Sequence, residues 1–166
     1  MKRISRLFLL LAAALCLPAA GAAFTPEAFT GKVVNVKDGD SLQVLRDRRV
    51  VEVRLNGVDA PERSQAFGTR ARKFTLAACI DRVVTVTAVG IDKYGRTLGE
   101  VSFADGTSFN QEIVRAGYAW WFRRYSGDET LKRLEEEARA ARRGLWADKA
   151  PVPPWEFRHR EASPGR

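Results

Sequence analysis

Residues 29–55, FTGKVVNVKDGDSLQVLRDRRVVEVRL, decide the fold. Three short runs rich in β-branched residues lie within them, at 29–36, 41–45 and 50–55. Asp38, Gly39 and Asp47 supply turn chemistry between the runs. Runs of this length with partial alternation predict three consecutive antiparallel strands.

Downstream, residues 66–80 read as a helix with Ala71, Phe74 and Ala78 on one face, followed by strand-like runs at 83–89 and 98–103. A short helix is expected at 110–116, ending at Gly117, and a longer one at 128–143 with Gly144 as its stop. Neither repeats nor low-complexity segments occur. Five short strands and about three helices predict an α+β fold, a five-stranded Greek-key β-barrel of the OB type, whose open face often receives nucleic acid. The ending at 151–166, with Pro151, Pro153 and Pro154, reads as an irregular tail.

At the other end, Lys2, Arg3 and Arg6 precede the apolar run 7–17 and a series of small residues. This pattern is that of a secretory signal peptide cleaved after Ala22 or Ala23. The apolar run is well short of the roughly twenty residues that span a bilayer. A lipid anchor on Cys16 would want a small residue where Leu15 stands. The expected organisation is therefore a signal peptide at 1–23, a single domain at 24–150 and the tail. A secreted or periplasmic protein, free of the membrane after cleavage, is expected. Cleavage leaves 25 of the 28 basic residues against 20 acidic ones, a formal charge of +5 instead of +8. A positive field permits a polyanionic partner without selecting one.

Histidine and cysteine counts exclude much chemistry. His159 is the one imidazole, and Cys79 the one thiol left after cleavage. No intrachain disulfide is possible, and Ser-His-Asp, Cys-His and His-rich zinc sites all lack their parts. Cys79 sits in an apolar helix with no charged activator and reads as packing. Any catalysis must rest on carboxylates and arginines, with or without a hard metal.

Such residues gather at one end of the predicted sheet. A hairpin turning near Arg48 sets Ser41 across from Leu55 and puts Asp40 beside the loop of Asp59. Along the third strand Val51, Val53 and Leu55 share a face, so Arg54 points the other way with Glu52, towards the same carboxylates. Asp40, Arg54, Asp59 and Glu62 are expected to converge. Attack on a phosphodiester builds negative charge that a cation and guanidinium forks neutralise while a carboxylate activates water, and this cluster contains those parts. Taken singly, each has an ordinary reading: Asp-Gly as a hairpin turn, Arg54 as a solvated charge, Asp59 as a turn former, Glu62 as a helix-start acid. Their joint order favours catalysis.

Residues 38–41 (DGDS), 54–62 (RLNGVDAPE) and 92–96 (DKYGR) resemble, in order and spacing, the three signatures of the staphylococcal nuclease family. The resemblance covers roughly residues 29–146. It implies that Asp40, Asp59 and the backbone carbonyl of Ala60 coordinate Ca²⁺, that Glu62 positions or deprotonates the attacking water, and that Arg54 and Arg96 hold the phosphate. Tyr94 matches a phosphate-contacting tyrosine of the family. The implied activity is endonucleolytic hydrolysis of DNA and RNA with low base specificity, leaving 3′-phosphate ends. No stable protein partner is implied, and a monomer is expected.

Three departures stand out. Ala60 replaces a threonine, the segment after Glu62 is shorter, and Trp120, Trp121 and Phe122 stand where the family has base-pocket tyrosines. A tryptophan there could stack on a base, a contact worth about 1–3 kcal/mol, or be core; Trp120 is the candidate contact. The alternative function is a non-catalytic OB-type module binding single strands. Such a module would be expected to lose the carboxylates that this chain retains. A phosphodiesterase acting on smaller phosphoesters would use the same site without a long groove.

Overall fold

The computed structural model describes residues 26–163, so the expected signal peptide lies outside the described residues. The elements in chain order are β1 (Glu27–Asp38), β2 (Ser41–Arg46), β3 (Arg49–Leu55), β4 (Val58–Asp59), α1 (Gly68–Cys79), β5 (Val83–Ile91), β6 (Thr97–Ser102), α2 (Phe109–Arg115), β7 (Trp120–Trp121), α3 (Glu129–Ala140) and α4 (Pro154–Ala162), with a 3-10 turn at Gly144–Ala147 before α4. Strands β1, β2, β3, β6 and β5 close a barrel in that order. The pairing of β3 with β6 is parallel and the other pairings are antiparallel. This is the expected five-stranded α+β barrel.

The barrel interior is aliphatic because the inward positions are. Val33, Val36, Leu42, Val44, Val53, Leu55, Val84, Val86 and Val101 are all buried. Burying each such side chain stabilises the fold by about 1.5–3 kcal/mol relative to leaving it in water. Val33 and Val36 are three residues apart yet both point inward. The register shift between Val33 and Asn35 explains this, since a bulge adds one residue and restores the inward face.

Helix α1 buries Gly68, Ala71, Thr75 and Cys79, with Phe74 and Ala78 flanking that stripe. The stripe is small, so the helix comes close to the β1–β2 turn. A Cβ on Gly39 would lie 2.6 Å from the Ala60 Cβ and 2.9 Å from the Ala71 Cβ, which makes glycine necessary there. Thr75 Oγ1 donates to the Gly39 carbonyl at 2.6 Å and locks the contact.

Three expectations are corrected. The β2–β3 hairpin uses a two-residue turn, Asp47 and Arg48, both at positive φ, so Arg46 pairs with Arg49 and Ser41 with Arg54 rather than Leu55. The one-residue change brings Asp40 nearer to Arg54. Helix α3 stops before Gly144: Arg142 is left-handed, and the N–H groups of Arg142 and Arg143 donate to the carbonyls of Arg139 and Ala138 in a Schellman closure. Gly144 serves a close approach instead, since a Cβ there would lie 2.2 Å from the Gly117 carbonyl oxygen.

The tail is the third correction, because it holds a fourth helix. Pro154 occupies the start of α4, where a missing N–H costs nothing, with Glu156 in the first turn and His159 and Arg160 in the last. Pro154 is buried, and Trp155 stacks on Phe122 at 5.4 Å and meets Trp120 edge-on at 5.6 Å.

Candidate functional site

One end of the barrel, where β2 begins and β3 ends, carries the polar cluster. Arg54 leaves β3 with a side chain only 12% exposed. Its Nη1 lies 2.5 Å from Asp40 Oδ2 and donates to the Val58 carbonyl at 3.0 Å, and its Nη2 donates to Asp59 Oδ1 at 2.7 Å. Asp40 is held from a second side by the Ala60 N–H, 2.6 Å from Oδ2, and by the Ser41 hydroxyl, 3.3 Å from Oδ1. Asp59 is fixed by the short β4–β7 ladder, in which it pairs with Trp120. Asp40, Arg54 and Asp59 are therefore brought together, with Ala60 beside them.

Glu62 stands at the mouth of this cluster on a tight loop before α1. The Glu62 N–H donates to Gln65 Oε1 at 3.1 Å, and the Gln65 N–H returns to the Glu62 carbonyl at 2.9 Å. A Cβ on Gly68 would lie 1.8 Å from that same carbonyl oxygen, so the loop depends on glycine at the helix start. From α4, Arg158 reaches across the loop: Nη1 donates to Glu62 Oε1 at 2.6 Å and to Asp59 Oδ1 at 3.2 Å, and Nη2 donates to Asp59 Oδ2 at 2.8 Å.

Arg96 reaches the cluster from the β5–β6 turn. Parallel pairing puts Leu98 beside Arg54, which brings the residues just before β6 to the same end of the barrel. Its Nε donates to Asp92 Oδ2 at 2.7 Å and its Nη1 to the Ser41 hydroxyl at 3.4 Å, linking it through Ser41 to Asp40. Burial acts to raise the Asp92 pKa, but hydrogen bonds from Arg96 and from the Tyr94 N–H outweigh it and hold the carboxyl below its usual range. Tyr94 is 72% exposed at the tip of that turn, with the Arg96 guanidinium 5.5 Å from its ring centroid.

Trp120 does not fit its expected role. It is 7% exposed, packed edge-on by Trp146 and Trp155 with the Arg139 guanidinium 4.9 Å from its ring centroid. Packing accounts for the residue, which belongs to a buried cluster with Ala138, Leu145 and Trp146. Cys79 is buried, and burial pushes its thiol up to about 12, which removes thiolate chemistry at neutral pH.

The donors suit a hard cation. Asp40 and Asp59 converge on one guanidinium and offer carboxylate oxygens, while the Ala60 backbone meets Asp40 through its N–H. Burial raises the Asp40 pKa well above its ordinary value; Arg54 acts to lower it, and Asp38 and Asp59 push it up further. Crowded, desolvated negative charge of this kind is what a divalent cation relieves. Among the described residues no three His, Cys, Asp or Glu side chains form a ready metal cluster. Arginine nitrogens contact the carboxylate oxygens in its place.

Sequence reasoning missed Arg158, Gln65, Ser41 and Asn110. Asn110 is buried at the start of α2, accepting from the Val101 N–H and donating to the carbonyls of Asn56 and Gly99, which ties the turn before β4 to the barrel. A signal for Arg158 did exist: the proline start, the acid–base polarity of 154–162 and Trp155 three positions before Arg158 describe a helix with both on one side.

Residues 52–148 match the family described as Staphylococcal nuclease homologue. The chain is 45% identical over 131 residues to an uncharacterized endonuclease of Escherichia coli O157:H7, covering 79% of this chain and 86% of that protein. It is 41% identical over 140 residues to a micrococcal nuclease of Shigella flexneri, covering 78% and 80% respectively. With protein ParB of Escherichia coli it shares 40% identity over 168 residues, covering 95% and 94%. Asp40 and Arg158 both lie outside residues 52–148.

Proposed function

The chain belongs to the staphylococcal nuclease family and hydrolyses ester bonds of nucleic acid, and from that premise we propose that it is a calcium-dependent endonuclease, exported from the cytoplasm, that cuts DNA and RNA to leave 3′-phosphate ends. The observation carrying this reading is the convergence of Asp40, Asp59 and Glu62 around Arg54 and Arg158, with Arg96 joined through Ser41.

Each residue has a role in it. Glu62, 36% exposed, is the carboxylate open to solvent and takes the proton of the attacking water. Arg54 retains its Nε–H and one Nη2–H without a protein partner among the described residues, a pair of donors for a phosphoryl oxygen. Arg96 likewise offers Nη2. Charge that develops on the phosphoryl oxygens thus meets two guanidinium groups already held in place, which avoids reorganisation during the reaction. Asp40, Asp59 and the Ala60 carbonyl would hold Ca²⁺, which supplies Lewis-acid stabilisation of the same charge. Tyr94, exposed beside Arg96, would contact the phosphate-bearing strand.

The test is cleavage of single-stranded DNA and of RNA with calcium, with magnesium and with chelator, followed by identification of the product ends. Cleavage with calcium, abolished by chelator and giving 3′-phosphate termini, is expected. Undiminished cleavage in chelator or 5′-phosphate ends would overturn the proposal. Export rests on residues 1–23; the N-terminus of protein recovered outside the cytoplasm should lie at Ala23 or Phe24, and retention of Met1 would contradict it.

A further inference from the structure

We propose that Arg158 is a positioning residue of the nuclease reaction, a guanidinium that fixes Glu62 at a set distance from Asp59 and so makes helix α4 part of the catalytic apparatus. The proposal rests on the reading of Glu62 as the group that activates water.

The geometry is that of a bridge. One guanidinium contacts both oxygens of Asp59, at 3.2 and 2.8 Å, and one oxygen of Glu62 at 2.6 Å. Asp59 is 1% exposed and immobilised by Arg54 and the β4–β7 ladder, so it is the fixed end. Glu62 is the end that needs holding, being half-buried on a loop without regular pairing. A planar fork fixes direction as well as distance, which a point charge does not.

A second tie runs in parallel. Gln65, whose amide oxygen holds the Glu62 N–H, donates from Nε2 to the Val152 carbonyl at 2.6 Å. The segment leading into α4 thus grips the Glu62 loop through the backbone while Arg158 grips it through the carboxylate. Between loop and helix lies a cavity of about 450 Å³ bordered by Pro61, Phe67, Val152 and Phe157. Apolar packing across that gap is incomplete, so these polar ties determine where the loop sits. The helix itself is seated by Trp155 on Phe122 and Trp120, independently of Arg158. The hydrogen bonds that Arg158 donates to Asp59 and Glu62 outweigh the cost of burial and raise its pKa, so its charge is permanent.

The experiment compares wild-type protein, Arg158→Ala, Arg158→Lys and Glu62→Gln on a single-stranded DNA oligonucleotide with saturating calcium, measuring kcat and KM separately. Near-UV circular dichroism of the tryptophan cluster reports whether α4 stays docked, and hydrogen exchange reports the Glu62 and Gln65 amides. Arg158→Ala should lower kcat by about 10- to 100-fold, the scale of a misplaced catalytic group, with KM nearly unchanged and faster exchange at both amides. Arg158→Lys, with charge but no fork, should recover part of kcat. If Arg158→Ala also undocks the helix, the lysine variant decides, since it must fall below wild-type kcat with an intact tryptophan spectrum. Wild-type kcat in both variants, a raised KM alone, or a rise in kcat accompanied by tighter calcium binding would each overturn the proposal, the last by making α4 a latch. Failure of wild type to cleave, or full activity in Glu62→Gln, would remove Glu62 from its role and this inference with it. Those failures are visible before any Arg158 variant is measured.

Discussion

Asp59 is gripped by two arginines, one from the barrel wall and one from the C-terminal helix, and the two regions hold it by different physics. Arg54 rises from a strand hydrogen-bonded on both sides, and its side chain is 12% exposed. Arg158 projects from a nine-residue helix, is 42% exposed, and depends on a stacked tryptophan for its seat. The first contact is part of the barrel: without Arg54, Asp40 would be a buried carboxylate with no cation beside it among the described residues, and Asp59 would keep Arg158 alone. The second comes from a helix that is not part of the barrel. Stability and catalysis are therefore entangled on the barrel side of the site and separable on the helix side.

The contrast can be broken most directly at Arg54. Arg54→Ala should reduce turnover by about 10²–10³-fold or more and destabilise the protein by about 3–5 kcal/mol, measured by cleavage and urea unfolding. Full stability in that variant would mean that the carboxylates do not need the guanidinium. Arg96→Ala should lose turnover by about 10²–10³-fold with stability almost unchanged, because its ties lie at the rim. A large drop in stability would move Arg96 into the structural class. Gly68→Ala tests the loop between the two regions, where the added methyl must displace the Glu62 carbonyl. It should cost about 1–3 kcal/mol, and turnover should fall because Glu62 moves with it. Loss of stability with unaltered turnover would show that the carboxylate is not placed by this backbone.

The smallest effect is expected at Cys79, buried in helix α1. Cys79→Ala should leave turnover unchanged and cost about 1–2 kcal/mol as a small cavity. Burial raises its thiol from 9.0 to about 12, so the folded state keeps a proton that the unfolded chain releases in that interval. The contribution of Cys79 is thus fully present below pH 9.0 and is lost as pH rises towards 12. Alkylation near pH 8 should proceed only as fast as the protein opens. Rapid labelling of native protein would contradict the burial.

The barrel side was legible in the sequence and the helix side was not, for physical reasons. Alternation in residues 29–55 carries strand faces, and faces carry Arg54 towards Asp40 and Asp59. The one-residue error in register arose because Asp47 and Arg48 both adopt positive φ without glycine, and Arg48, unlike Asp47, carries no turn signal that would fix so tight a turn. Gly144 looked like a helix stop, but Arg142 took the left-handed position first. Trp120 looked like a base contact because aromatic residues carry no mark of burial in a local window. Arg158 escaped because three prolines read as irregular chain, although Pro154 is where a helix tolerates proline. The contact of Arg158 with Glu62 spans 96 positions, and no local pattern encodes that distance.

The most direct test of the whole account is the rate at which Glu62→Gln cleaves single-stranded DNA with calcium, beside wild type in calcium and in chelator. A loss of about 10²–10⁴-fold in the variant, with wild-type folding and wild-type activity abolished by chelator, is the predicted result. Wild-type turnover in Glu62→Gln would contradict the assignment of this carboxylate and with it the catalytic reading of the cluster.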